Sequence, residues 1–227
     1  LESAIVPNGS GFVYARLAAH FGEAQWAGEQ QRGISGLFFA RQLAIAVDKD
    51  WPSVLAALER IRTTLLKRGT MLANVTLDSA NWQLIAPQVD EFLAQMPSGT
   101  AAPAEWQRSA LPVYEGLATS SAVNYVGKGA NLYTLGFSAG GSAEVVTRYL
   151  SRTMLWDRVR VQGGAYGGFS QFDHRSGIFS YLSYRDPNLL QTLAVYDEGP
   201  RFLRELDLSQ DELTKAIIGT ISDIDAH

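Results

Sequence analysis

The chain has 227 residues, of which 46% are hydrophobic and 19% charged, an ordinary globular composition with room for one large domain or two small ones. Its formal charge of −4 argues against a general nucleic-acid binder, which carries a basic excess. With zero cysteines, disulfides, thiol catalysis and Cys-based zinc sites are excluded within the chain, and the redox compartment is left open. No apolar run reaches the roughly 18 residues of a membrane span, because LFFARQLAIAV is broken by Arg41 and Gln42. The opening stretch LESAIVPNGSG shows neither a basic n-region nor a long apolar h-region, and it does not start with Met. It reads as a processed protein or a piece of one.

Residues 10–46 read as helical, with breaks at Gly33 and Gly36. The next helix is better marked: Asp50 caps it, Pro52 lies in its first turn, and Val54, Leu58, Ile61 and Leu65 recur at helical spacing, with Gly69 placed to end it. MLANVTL then reads as a strand. Asp78 caps a helix with an apolar face of Leu84, Ile85, Val89, Phe92, Leu93 and Met96, which Pro87 is expected to kink or divide.

From Pro97 to Pro112 the chain turns into PSGTAAPAEWQRSALP, small and proline-rich, as a linker between domains would be. Extended segments are expected around AVNYVG and NLYTLGF. Ser142 starts a helix bearing Val145, Val146, Tyr149 and Leu150. Tyr166–Phe172 and Ile178–Tyr184 form a hairpin joined by DHRSG. Asp186-Pro187-Asn188 opens a helix that Gly199-Pro200 should interrupt, and SQDE at Ser209–Glu212 fits a capping box for the last helix. The expected class is α+β, in two units joined near residue 100, with an antiparallel component.

The most pointed stretch is WDRVRVQGGAYGGFSQF, Trp156–Phe172. Gly163, Gly164, Gly167 and Gly168 bracket Tyr166, which suggests a backbone built to hold that phenol in a fixed place and let another chain come close. Arg160, six residues before the tyrosine, brings five donors in a rigid fork. The pair could grip a carbonyl or an oxyanion; a tight helix-to-strand turn with an ordinary surface arginine accounts for the same spacing.

Other chemistry is thinner. There are three histidines, His20, His174 and His227. HFGEA resembles half of an inverted zinc motif, but Ala24 stands where the second His is needed, so His20 reads as a helix or surface residue and His174 as a solvated turn residue. GFSAG, Gly136–Gly140, matches the G-x-S-x-G elbow and would make Ser138 a hydrolase nucleophile. That enzyme would also need parallel strands and a later Asp and His, and only His174 and His227 follow. GKGAN and GGAYGG fit no phosphate loop.

Longer phrases carry a resemblance. QRGISGLFFARQL, NVTLDSANW, VNYVGKGANLY, WDRVRVQGGAYGGFSQFD, SYLSYRDPNLL and KAIIGTISDID resemble the C-terminal half of the presequence proteases, a branch of the pitrilysin-like zinc peptidases. The resemblance covers nearly the whole chain and is densest from residue 113 onward. It implies a peptidase of four related α+β domains in two halves around a closed chamber. On this chain it implies two partial domains, each a largely antiparallel sheet with helices packed on it: 1–97 the end of the third domain, 98–112 a linker, and 113–227 the first part of the fourth.

The resemblance further implies that zinc and its glutamate base belong to an H-x-x-E-H helix in the N-terminal half, and that this chain carries no metal ligand. It assigns Arg160 and Tyr166 to catalysis, holding the substrate backbone at the scissile bond and steadying the tetrahedral intermediate. Gly163, Gly164, Gly167 and Gly168 would let the substrate pass. The implied partners are short unfolded peptides, such as cleaved targeting peptides, and the N-terminal half of the same enzyme; neither nucleic acid nor membrane is expected. The implied compartment is cytoplasmic or periplasmic for a bacterial source and an organelle matrix for a eukaryotic one. A non-catalytic binding or assembly subunit of the same fold is the alternative from another class.

Overall fold

A computed structural model describes residues 2–100, 105, 107–138 and 140–225. By contacts the chain divides into two units, one of Leu1–Phe38 with Arg108–His227 and one of Phe39–Gln107. The expected family domains 1–97 and 113–227 are a different kind of division, and residues 101–104 and 106 of the expected linker 98–112 lie outside the described residues.

In the first unit, α1 (Gly9–Ala18) and α2 (Glu23–Arg32) lead into α3 (Ile34–Lys49), which continues into the second unit. The expected breaks shift: the chain turns at residues 19–22, and Gly36 lies inside α3. Only Gly33 marks a boundary, as the C-cap of α2. Buried Glu29 fastens this region. Its Oε1 accepts from Arg16 Nη1 at 3.2 Å and from the Ser35 amide at 2.9 Å, while Gln30 donates to its Oε2. Arg16 also grips Glu115 with two donors, at 2.7 and 2.9 Å. A buried carboxylate is tolerated only with such a set of partners.

The sheet has three strands, β1 (Gly127–Asn131), β2 (Gly167–Asp173) and β3 (Ile178–Tyr184), in the order β1-β3-β2 and antiparallel throughout. The class is therefore α+β. The expected β2–β3 hairpin is present, with Gly167 opposite Tyr184 and Asp173 opposite Ile178. Expected strands at AVNYVG and NLYTLGF are not: β1 falls between them, Asn124 makes a single bridge to Asp186, and Tyr133–Leu135 is a 3-10 turn. The Asn131 side chain holds that turn by accepting from the Tyr133 amide at 3.0 Å.

Helix α6 (Ser142–Arg152) starts where expected. It packs on β2, and Leu150, Met154, Leu155, Val159, Ala165, Tyr181 and Tyr196 share one core cluster. Tyr181 stacks on Tyr196 of α7 (Leu190–Arg204) with centroids 5.1 Å apart. Helix α7 runs through Gly199-Pro200 without the expected interruption. A Cβ at Gly199 would lie 2.1 Å from the Tyr181 hydroxyl, so the glycine is there for close approach. The last helix, α8 (Gln210–Asp225), opens on the expected capping box: the Ser209 amide donates to Glu212 Oε2 at 2.9 Å and the Glu212 amide to Ser209 Oγ at 3.3 Å.

The second unit holds the rest of α3, then α4 (Trp51–Leu65) and α5 (Ser79–Ala94). Asp50 and Asp78 cap the latter two as expected, accepting from Ser53 and from Ala80 and Asn81. Helix α4 stops at Leu65 rather than at Gly69, because Arg68 and Gly69 donate to the carbonyls of Pro97 and Gly99. Pro87 does not divide α5, which runs through it; proline removes one donor and leaves the rest of the ladder. The strand expected at residues 71–77 is not formed. No described residue pairs with it, and Leu72 is 94% exposed. A lone extended segment has no ladder to join. Among the described residues no helix is long and apolar enough to cross a membrane.

Candidate functional site

The sequence WDRVRVQ folds as a π-helical segment, Trp156–Gln162, between α6 and β2. Such wide turns recur at functional sites. Leu155 and Val159 point into the core at 0% and 1% exposure. Trp156 and Arg160 share the outer side, with the guanidinium carbon 4.2 Å from the indole centroid. The same carbon lies 5.5 Å from the ring of Tyr166, which is 63% exposed. Arg160 thus rests against two rings, and among the described residues no carboxylate pairs with it; its neighbour Arg158, by contrast, is paired with Glu198. Its donors are available to a ligand.

The four glycines have different jobs. Gly164 has φ +78°, a left-handed conformation that suits glycine, and its amide donates to the Arg160 carbonyl at 3.0 Å. Gly168 is a packing glycine: a Cβ there would meet Val159 Cβ at 2.8 Å. At Gly163 a Cβ would lie 2.6 Å from the Val159 carbonyl oxygen. Gly167 alone of the four has ordinary angles and room around it, its nearest atom being Tyr184 Cβ at 3.9 Å. It also begins β2, an edge strand of the sheet.

A second layer fixes the turn. Ala165 is buried and donates to the Val159 carbonyl at 3.1 Å, so the next residue, Tyr166, is turned outward. The Tyr166 amide donates to the Arg185 carbonyl at 3.3 Å, and Asn188 Nδ2 donates to the Gly163 carbonyl at 2.6 Å. Asp186, fully buried, organises this segment by accepting from the Asn188 amide at 2.9 Å and from Thr192 Oγ1 at 2.7 Å. The Tyr184 ring meets Tyr166 edge-on at 5.8 Å and lies tilted against Tyr125 at 5.6 Å.

The other candidates are placed elsewhere. Ser138 is exposed on irregular chain after the 3-10 turn, with antiparallel strands only among the described residues, so the strand–turn–helix elbow is not formed. His174 is more than a solvated turn residue: its Nε2 pairs with Glu144 of α6 and its ring packs on Phe172 at 4.9 Å. His227 lies outside the described residues. Among the described residues no three His, Asp or Glu side chains cluster as a metal site. This donor set does not fit a bound zinc ion.

Residues 114–227 match the family model described as the PreP C-terminal domain. The chain belongs to this family. It is 45% identical over 228 residues to presequence protease 1, chloroplastic/mitochondrial, from Arabidopsis thaliana, covering 100% of this chain and 21% of that protein. Protein HypA from Clostridium perfringens is 30% identical over 226 residues, covering 99% and 23%. The mitochondrial presequence protease of Saccharomyces cerevisiae is 24% identical over 235 residues, covering 99% and 24%. The chain thus spans between a fifth and a quarter of the length of these relatives.

Within this PreP C-terminal domain, sequence reasoning singled out Arg160 and Tyr166 and missed what surrounds them. The one sequence signal that could have found Trp156 is its spacing of four from Arg160. Tyr184, Arg185 and Asn188 stand in SYRDPN, whose D-P-N reads first as a helix start. Their link to Gly163 and Tyr166 is long-range and leaves no local signal.

Proposed function

We propose that this chain is part of the C-terminal, lid-like half of a presequence-protease-type zinc metallopeptidase that degrades short unfolded peptides. In this reading residues 1–97 close the third family domain, 98–112 link, and 113–227 open the fourth. Zinc is assigned to the other half of the enzyme, since the donors described here do not fit it. Alone, the chain cleaves nothing.

The observation that carries the reading is the side-by-side placement of an uncommitted guanidinium and an exposed phenol at one rigid turn. Arg160 holds the carbonyls of the peptide backbone near the scissile bond. The Tyr166 hydroxyl donates to the oxygen on which charge develops, a contribution of about 3 kcal/mol per donor in preorganised sites. The peptide passes over Gly167, where there is room, and adds as a strand to the edge at β2. Membership in the PreP C-terminal domain family and the likeness to proteins named presequence protease support the peptidase class. The test is Arg160→Ala in the complete enzyme with a fluorogenic peptide. The expected result is a raised KM and a lowered kcat at unchanged melting temperature; wild-type kinetics would refute the assignment.

A further inference from the structure

We propose that Arg185 is a second substrate-gripping cation, which takes a carboxylate of the bound peptide. The carboxylate is either the C-terminus or an acidic side chain. This rests on the peptidase reading of the Arg160–Tyr166 turn and adds a specificity residue to it.

Arg185 has φ +49°, the one non-glycine residue with positive φ among those described. A β-carbon disfavours that conformation, and such outliers persist only where their surroundings over-determine them. Here they do. Asn124 and Asp186 exchange backbone hydrogen bonds of 2.7 and 2.9 Å, Asp186 is buried and doubly bonded, and the Arg185 carbonyl receives the Tyr166 amide. The backbone of Arg185 is therefore part of the device that fixes the catalytic phenol.

Backbone needs alone would be met with less strain by glycine. The side chain is exposed, and no carboxylate among the described residues pairs with it. Its guanidinium carbon instead lies 5.4 Å from the Tyr184 centroid, and Tyr184 meets Tyr166 edge-on. Arg160, Tyr166, Tyr184 and Arg185 thus form a continuous run, with an uncommitted guanidinium at each end. Tyr184 stands opposite Gly167, where the peptide is placed. A planar fork held on an aromatic face suits bidentate capture of a carboxylate.

The test uses the complete enzyme and three matched peptides: one neutral with a free C-terminus, one neutral and amidated, and one amidated with a single Glu. Arg185→Gln should raise KM about tenfold more on a carboxylate-bearing peptide than on the neutral amidated peptide. An effect confined to the first peptide identifies the C-terminus as the source, and one confined to the third an acidic side chain. Arg185→Lys should restore part of the loss, and Arg185→Asn, which tolerates positive φ, should match Gln if the fold is intact. No change on any peptide, or an equal change on all three, overturns the proposal. Arg160→Gln and Tyr166→Phe serve as reference: both should slow all three peptides. If they do while Arg185→Gln does nothing, Arg185 alone is misassigned. If they leave turnover intact, it is the reading of the site that fails.

Discussion

Asn188, near the start of α7, donates its side-chain amide to the carbonyl of Gly163 at 2.6 Å, across 25 residues of chain. The turn that carries Tyr166 is therefore held from outside as well as from its own backbone. Asn188→Ala would leave that carbonyl unpaired and loosen the phenol. The expected cost is about 1–2 kcal/mol, seen as a fall of a few degrees in melting temperature. An unchanged melting temperature would show that the contact holds nothing.

The glycines should separate by role. Gly168→Ala forces a methyl against Val159 and should destabilise the chain by about 1–3 kcal/mol. Gly167→Ala meets nothing closer than 3.9 Å and should leave stability within about 0.5 kcal/mol, while weakening peptide use by the complete enzyme. Chemical denaturation of the two variants decides this. Equal destabilisation would mean that Gly167 too is there for packing.

Much of this arrangement was legible, and what was not has a physical cause. Caps are local, so Asp50, Asp78 and the Ser209–Glu212 box announced their helices correctly. The hairpin was announced by alternation around DHRSG. β1 was hidden, because GKGAN has no apolar alternation and is a strand only by pairing with β3. MLANVTL has the composition of a strand and, among the described residues, no partner. Gly199-Pro200 looked like a break and is a contact for Tyr181. At the candidate site, spacing drew attention to Arg160 and Tyr166, whereas the buried Asp186 and the strained Arg185 are products of tertiary pairing.

Trp156 lies against the Arg160 guanidinium and, on the proposed reading, positions it. Trp156→Ala should lower kcat/KM of the complete enzyme about tenfold, in keeping with a cation–π contact of ~1 kcal/mol plus lost orientation. Trp156→Phe should recover most of it, since a ring face remains. Equal losses in both variants would contradict a role through the ring.

Acid should unfasten the Arg16–Glu115 clamp. The hydrogen bonds from Arg16 hold the Glu115 carboxyl below its ordinary range, outweighing the opposing effect of partial burial. A depressed folded value stabilises the protein above the unfolded carboxylate pKa of about 4.3 and is lost as pH falls through the folded value. Glu115→Gln should therefore lower the melting temperature at pH 7, and the gap to wild type should close below about pH 4. A gap independent of pH would contradict it.

The most direct test of the central claim is the kinetics of Tyr166→Phe in the complete enzyme. The substitution removes one hydroxyl from a ring that is 63% exposed and leaves the edge contact to Tyr184 in place. If the phenol donates to developing charge, kcat falls by about 10²-fold while KM and the melting temperature hold. Full activity in Tyr166→Phe would contradict the account and leave this turn as structural punctuation between a helix and a strand.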